Sequence, residues 1–405
     1  MRFCERISKE NMMLIGTLFF CVYMFLLDNS YWRATPILIL TVMLVYGAHG
    51  AKLSVDSNFL ILLLVVVTMS VIGGIVTSHS PKLAIEYYVY LVFIRILGQN
   101  DVKKHYKSLI INALYYITLV LVLYNMIKNV VNFNDTNTFE TIGTTPETGV
   151  FIFLFFLLSI KCKKVSGLIV TIIYVLIWRN AHSRGLMLML SLFVVISILS
   201  KRIEQFMKKV RISSNKIFMI IIMMTIGIIV FSYAWESLAA KGFLGRLDDM
   251  SNRVRFVANI KTVDTIKENS FELLLSGYGH DLFAELGIES EDYLSHPTYH
   301  GVRIVQSHNT VLNIIIRLGI IPGFIYLYLV SKYLEKHMVR ENYAFIIPYM
   351  VNSLILHEMF IMKWLVLWCL ILEMPFEKKW FPVKKIMLMP ITFGNCFKAG
   401  KNNVV

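Results

Sequence analysis

Charge is scarce in this chain. Of its 405 residues only 16% are Asp, Glu, Lys or Arg and 57% are hydrophobic, with a mean hydropathy of +0.64. A soluble domain is about a quarter charged, so a soluble globular fold is excluded. Sustained apolar/polar alternation is missing as well, which excludes a transmembrane β-barrel. What stands in its place is a series of continuous apolar runs, many of roughly 20 residues, the pattern of an all-α polytopic membrane protein.

Cysteine is sparse: Cys4, Cys21, Cys162, Cys369 and Cys396. None falls in the one long polar interval, so disulfides do not staple it, and the spacings fit no metal site. The first apolar run follows Arg2, Arg6 and Lys9 as a signal peptide would. It lacks a small-residue cleavage site before Asn29, so it is read as a retained first span. There is no internal repeat, whereas inverted-repeat transporters have matched halves. The formal charge of +14 sits mostly in short blocks between apolar runs. That is the arrangement of positive-inside loops rather than of a nucleic-acid surface.

The apolar runs predict about twelve spans, near 12–27, 35–49, 58–77, 83–98, 108–127, 147–160, 165–179, 185–200, 217–235, 308–330, 343–357 and 359–374. With the amino terminus in the cytoplasm, the inside loops collect the Lys and Arg of 103–107, 161–164, 201–216 and 332–340, while the short outside loops keep few. The expected layout is nine spans over 1–235, an extracytoplasmic loop over 236–307, three spans over 308–374 and a cytoplasmic tail over 375–405. Both termini are then inside. The tail mixes Lys with Trp380, Phe381 and Phe397, which suits equally a segment on the anionic inner leaflet and a disordered one.

The loop is far longer than a helix–helix connection needs. Within it, 249–269 reads as a helix with Phe256, Ile260 and Val263 on one face at about 100° per residue. Arg253 and Arg255 are then about 200° apart around that helix. Ser276-Gly277-Tyr278-Gly279 is a turn signal. His280, His296, His300 and Arg303 follow, and His308 opens the next span.

Three residues draw attention by position. Arg184 sits at the outer edge of a span, where a guanidinium either snorkels to lipid phosphates or clamps an anionic substrate. His308 begins a span on the outer side, as an interfacial histidine or as a base or donor to a phosphate. Asn309 or Ser307 is its candidate N-cap. Arg317 lies about 13 Å further along the same helix, and Gly319 and Gly323 suit close packing or a kink.

The order of these pieces resembles the O-antigen polymerase and ligase superfamily of bacterial glycan-assembly membrane proteins. Ser183-Arg184-Gly185 entering a span is similar to that family's Ser-Arg-Gly motif. The 252–269 segment followed by Leu274-Leu275-Ser276-Gly277-Tyr278-Gly279 resembles its Arg-led helix and glycine turn. Ser307-His308-Asn309, with Gly319-Ile320-Ile321-Pro322-Gly323, resembles its His-Asn span. There are departures: no Trp follows the loop's arginine pair, Ser270 stands where Pro is common, and Arg317 stands where an acid is common. Register with the glycine turn favours Arg255 over Arg253.

The resemblance implies a glycosyltransferase of the bacterial cytoplasmic membrane that polymerises undecaprenyl-pyrophosphate-linked repeat units into O-antigen or capsule, with no metal or other cofactor. His308, Arg184 and Arg255 would be catalytic, and Arg253, Asn309, Tyr278, His280 and Arg303 would contact substrate. Membrane lipids, a chain-length regulator and a flippase are the implied partners. A ligase handing finished glycan to another acceptor fits the same motifs. A lipid-linked oligosaccharide flippase fits the span count but not the lone large loop. A membrane scaffold leaves the outer Arg and His residues without a purpose.

Overall fold

The computed structural model describes residues 15, 57–77, 88–89, 91–92, 104–131, 145–177, 184–240, 250–278, 307–355 and 362–373. The expected spans at 12–27, 35–49 and 83–98 and the tail over 375–405 fall largely or wholly outside them. All regular structure among the described residues is helical. In chain order the α-helices are α1 (Ser57–Thr77), α2 (Lys104–Val131), α3 (Thr145–Lys161), α4 (Val165–Ile177), α5 (Arg184–Val210), α6 (Ser214–Ala240), α7 (Met250–Glu268), α8 (Thr310–Leu318), α9 (Ile320–His337), α10 (Tyr343–Ile355) and α11 (Met362–Glu373). Single 3-10 turns follow α7 (Glu272–Leu274) and precede α10 (Arg340–Asn342).

Among the described residues four stretches are long and apolar enough to cross a membrane: Phe59–Val76, Ile110–Ile127, Arg184–Val210 and Ser214–Trp235. Their outward faces are apolar too. Leu60, Leu64, Ile75 and Val76 of α1 and Met219, Met223 and Val230 of α6 are exposed. In water such faces would be an aggregation hazard; in lipid they face hydrocarbon. Helix α3 is the centre of the described bundle. Phe151, Phe153 and Phe155 and their neighbours from Val150 to Leu158 are almost all buried, and α2, α4, α5 and α11 pack around them. Without a hydrophobic drive between helices in lipid, this close packing is what holds the bundle.

Contacts join the basic loops at one end. Lys161 at the end of α3 donates to Asn342 Oδ1 at 3.4 Å. Asn342 donates to the His337 carbonyl at 3.2 Å, and His337 pairs with Glu373 at 2.9 Å. Glu204 on the basic tail of α5 lies 3.8 Å from Arg340. The α3–α4 and α5–α6 turns there reverse through left-handed Lys163 (φ 55) and Arg211 (φ 52). Lys216 closes the second turn by donating to the Val210 and Arg211 carbonyls.

The expected single span over 308–330 is broken. Gly319 has φ +98 and separates α8 from α9. A Cβ on Gly319 would lie 2.9 Å from Ser276 N, and one on Gly323 would lie 3.2 Å from Ile315 Cα. Both α9 and α10 rise from the basic end. They extend about 26 Å and 18 Å from there at about 1.5 Å per residue. Helix α8 starts at the far end of α10, where Thr310 donates to the Ser353 carbonyl at 2.9 Å, and it ends at the start of α9. It therefore bridges the two helix tops rather than extending α9.

Helix α7 forms almost where the sequence places it, but buries a different face. Phe256 does pack, on Trp235 with ring centroids 4.3 Å apart and on Phe231 at 5.4 Å. The most buried stripe is instead Ala258, Asn259, Thr262 and Thr265. Small and polar side chains let helices approach closely, and Thr262 satisfies itself on the Ala258 carbonyl at 2.6 Å. Tyr233, about 200° around α6 from both Phe231 and Trp235, bonds Asp264 at 2.9 Å. Opposite flanks of α6 thus reach positions about 12 Å apart on α7, so α7 crosses the end of α6 broadside.

Candidate functional site

The site is built where α7, α8 and α10 meet. Asn309 adopts an extended conformation and caps α8, its Oδ1 accepting from the Val311 and Leu312 amides at 2.9 and 3.1 Å. Its Nδ2 donates to the Leu354 carbonyl at 3.0 Å, which fixes α8 to the end of α10. The Ser307 hydroxyl bonds Asn259 Oδ1 at 2.9 Å and accepts from the Asn309 amide at 3.1 Å. The Ser307 carbonyl accepts from Asn313 Nδ2 at 3.2 Å. Asn259, Ser307, Asn309 and Asn313 are all buried. In so enclosed a place a lost bond leaves a costly orphan, so the network fixes one geometry.

His308 sits in the turn ahead of α8, between two residues of that network. It is half-buried, with its Nδ1 atom enclosed. Burial first, and then the positive charge of Arg255, push its imidazole down to about 4. The ring is therefore neutral at neutral pH, able to accept a proton rather than only donate one. Arg255 is itself half-buried on α7, one turn before Asn259 and on the same face.

Arg184 is the first residue of α5 and is exposed. The register of α5 against α10 places its height. Glu204 is level with Arg340, and Phe193 meets Phe345 edge-on with centroids 5.9 Å apart. Leu192 and Ile347 pack onto the cluster of Ile196, Tyr343 and Ala344. The helices are antiparallel, and continuing that register sets Arg184 opposite Leu354, the residue that holds Asn309. Arg184, Arg255 and His308 thus occupy the same end of the bundle, opposite the basic loops.

The other sequence candidates divide. Asn309 is wholly buried, and both ends of its carboxamide serve the fold rather than a ligand. Tyr278 is at the far end of α8 from His308, about 12 Å along the axis. Its amide donates to the Ile316 carbonyl at 2.9 Å and its hydroxyl to Glu272 Oε2 at 3.3 Å. Gly277 makes that approach possible, since a Cβ there would lie 2.2 Å from the Arg317 carbonyl carbon. Arg317 is buried at that same end. Arg253 belongs to α7 by backbone only, and His280 and Arg303 lie outside the described residues. Sequence reasoning missed Asn259; its place four residues after Arg255 on a helix is the signal that points to it.

Among the described residues no three His, Cys, Asp or Glu side chains gather as a metal site. Comparison with protein-family models, with characterised proteins and with solved structures gives no match.

Proposed function

We propose that the protein is a membrane glycosyltransferase that polymerises undecaprenyl-pyrophosphate-linked repeat units at the outer face of the bacterial cytoplasmic membrane. The observation that carries this reading is a half-buried, neutral His308 within reach of the positive charge of Arg255, at the bundle end that also holds Arg184. The full chain then crosses the membrane about twelve times, with both termini and the basic loops inside. The gathering of Lys161, Arg340 and the α5 tail at one end supports that orientation, as does the rule that basic loops stay in the cytoplasm.

In the proposed reaction an acceptor sugar hydroxyl attacks the anomeric carbon of the donor. The new C–O bond forms as the bond from that carbon to the pyrophosphate oxygen breaks, with inversion. The hydroxyl proton passes to His308, and lipid pyrophosphate leaves with the electron pair. Arg255 and Arg184 face the charge that develops on the leaving group, where fixed cations act most strongly. The depressed imidazole has a consequence. Alone, His308 is a weak base; a pyrophosphate beside it supplies negative charge and raises its proton affinity. Proton capture is thereby coupled to donor binding.

The test is glycan length in cells. Arg184→Ala, Arg255→Ala and His308→Ala should each reduce long-chain polysaccharide to single repeat units while the protein stays in the membrane. Normal chain lengths in all three variants would defeat the reading.

A further inference from the structure

Asn259 has no part in the reaction just described, yet its side chain bonds Ser307 in the turn that carries His308. It is 3% exposed and Ser307 is 2% exposed, so their 2.9 Å bond is shielded from competing water. Four residues earlier on the same face of α7 stands Arg255. We propose that Asn259 and Ser307 are positioning residues, a latch whose hydrogen bond sets the separation between the Arg255 guanidinium and the His308 imidazole. This rests on reading those two groups as the pyrophosphate site.

The geometry leaves little slack. Ser307 is held at its hydroxyl by Asn259 and by the Asn309 amide, and at its carbonyl by Asn313. The bonds from Asn309 and Asn313 come from α8, which is anchored to α10 through Leu354 and Ser353. The bond to Asn259 comes from α7. Cutting it removes the polar tie between α7 and the His308 turn while Ala258 of α7 and Ile316 of α8 stay packed in one core cluster, so α7 can pivot about that contact and Arg255 can shift relative to His308. The charge that acts on the His308 ring from α7 is Arg255. Among the described residues, the groups of α8 and α10 in the hydrogen-bond network around that turn, namely Asn309, Thr310, Asn313 and Ser353, are uncharged. A shift of 1 Å between reacting groups is enough for a rate loss on the order of 100-fold.

The test uses the full chain in nanodiscs with ¹³C-labelled histidine, the His308 signal being assigned by its absence in His308→Gln. In the wild-type background Asn259→Leu should raise the His308 titration midpoint, because the Arg255 charge is no longer held near the ring. In an Arg255→Gln background the same substitution should leave the midpoint where Arg255→Gln alone puts it. An equal rise in both backgrounds would show that Asn259 only keeps the site dry, and no rise in either would show no latch; each overturns the proposal. Ser307→Ala repeats the comparison with a smaller change, should Asn259→Leu not fold. Elongation of lipid-linked repeat units by the same samples separates the two claims. If the background dependence holds but wild type makes no polymer, the latch stands and the polymerase reading falls.

Discussion

Asn309 donates through Nδ2 to the Leu354 carbonyl at 3.0 Å while its Oδ1 accepts from the Val311 and Leu312 amides. One side chain therefore starts α8 and fastens it to α10. Asn309→Ala should cost about 1 kcal/mol for the lost cap and about 1 kcal/mol or more for the Leu354 carbonyl left unpaired. Asn309→Ser keeps a side-chain oxygen for the cap and loses only the donor to Leu354, so its loss should be smaller. Thermal aggregation in detergent, followed by size exclusion, reads the order wild type, Ser, Ala.

Two glycines make an internal control for the packing. A Cβ on Gly277 meets the Arg317 backbone at 2.2 Å, whereas one on Gly227 in α6 meets nothing within 4 Å. Gly277→Ala should detach the 276–278 segment from α8 and lower the melting temperature sharply. Gly227→Ala should be neutral or stabilising by up to about 1 kcal/mol. Equal effects from the two would contradict the described packing of that segment.

Acid should weaken the protein through His308. Its folded value of about 4 lies below the ordinary 6.5. Between those two pH values the unfolded chain binds a proton that the folded chain does not. Stability from this residue is therefore full above about 6.5 and falls as the pH drops toward 4. His308→Gln removes that slope. The melting-temperature difference between pH 7 and pH 5 should be smaller in His308→Gln than in wild type.

At the basic end, His337 and Glu373 are 2.9 Å apart with side chains 8% and 6% exposed, and Lys336 approaches the same carboxylate at 3.8 Å. Glu373→Leu leaves the buried His337 ring nitrogen without this partner and should cost about 1–3 kcal/mol. Glu373→Gln keeps a hydrogen-bonding group and should cost less. Expression level and melting temperature in detergent rank the two.

Much of the helical layout is legible in the chain. The apolar runs at 58–77, 108–127, 147–160 and 217–235 sit inside α1, α2, α3 and α6, because a continuous apolar run has one stable solution in lipid. The turn at Gly277 is also marked by its residues, whereas at Gly319 the residues suggest close packing or a kink and the structure breaks the expected single span into two helices. Three things were not legible. Helix α5 continues through its basic tail to Val210, since a change from apolar to basic ends a span without ending a helix. Helix α7 buries Asn259 and Thr262 rather than Ile260 and Val263, because the choice of face depends on what the crossing partner offers. The bond from Ser307 to Asn259 joins residues 48 apart, and a pairing of two common polar side chains leaves no periodic trace. The nearness of Arg255 to His308 belongs to that same class.

The central claim is that Arg184, Arg255 and His308 act together on a lipid pyrophosphate donor. Purified protein in liposomes, given undecaprenyl-pyrophosphate-linked repeat units and no nucleotide sugar, tests it directly. The predicted result is a ladder of elongated products from wild type and none from Arg184→Ala, Arg255→Ala or His308→Ala. Wild-type protein that moves the lipid between leaflets without lengthening it, or variants that build the same ladder, would contradict the account.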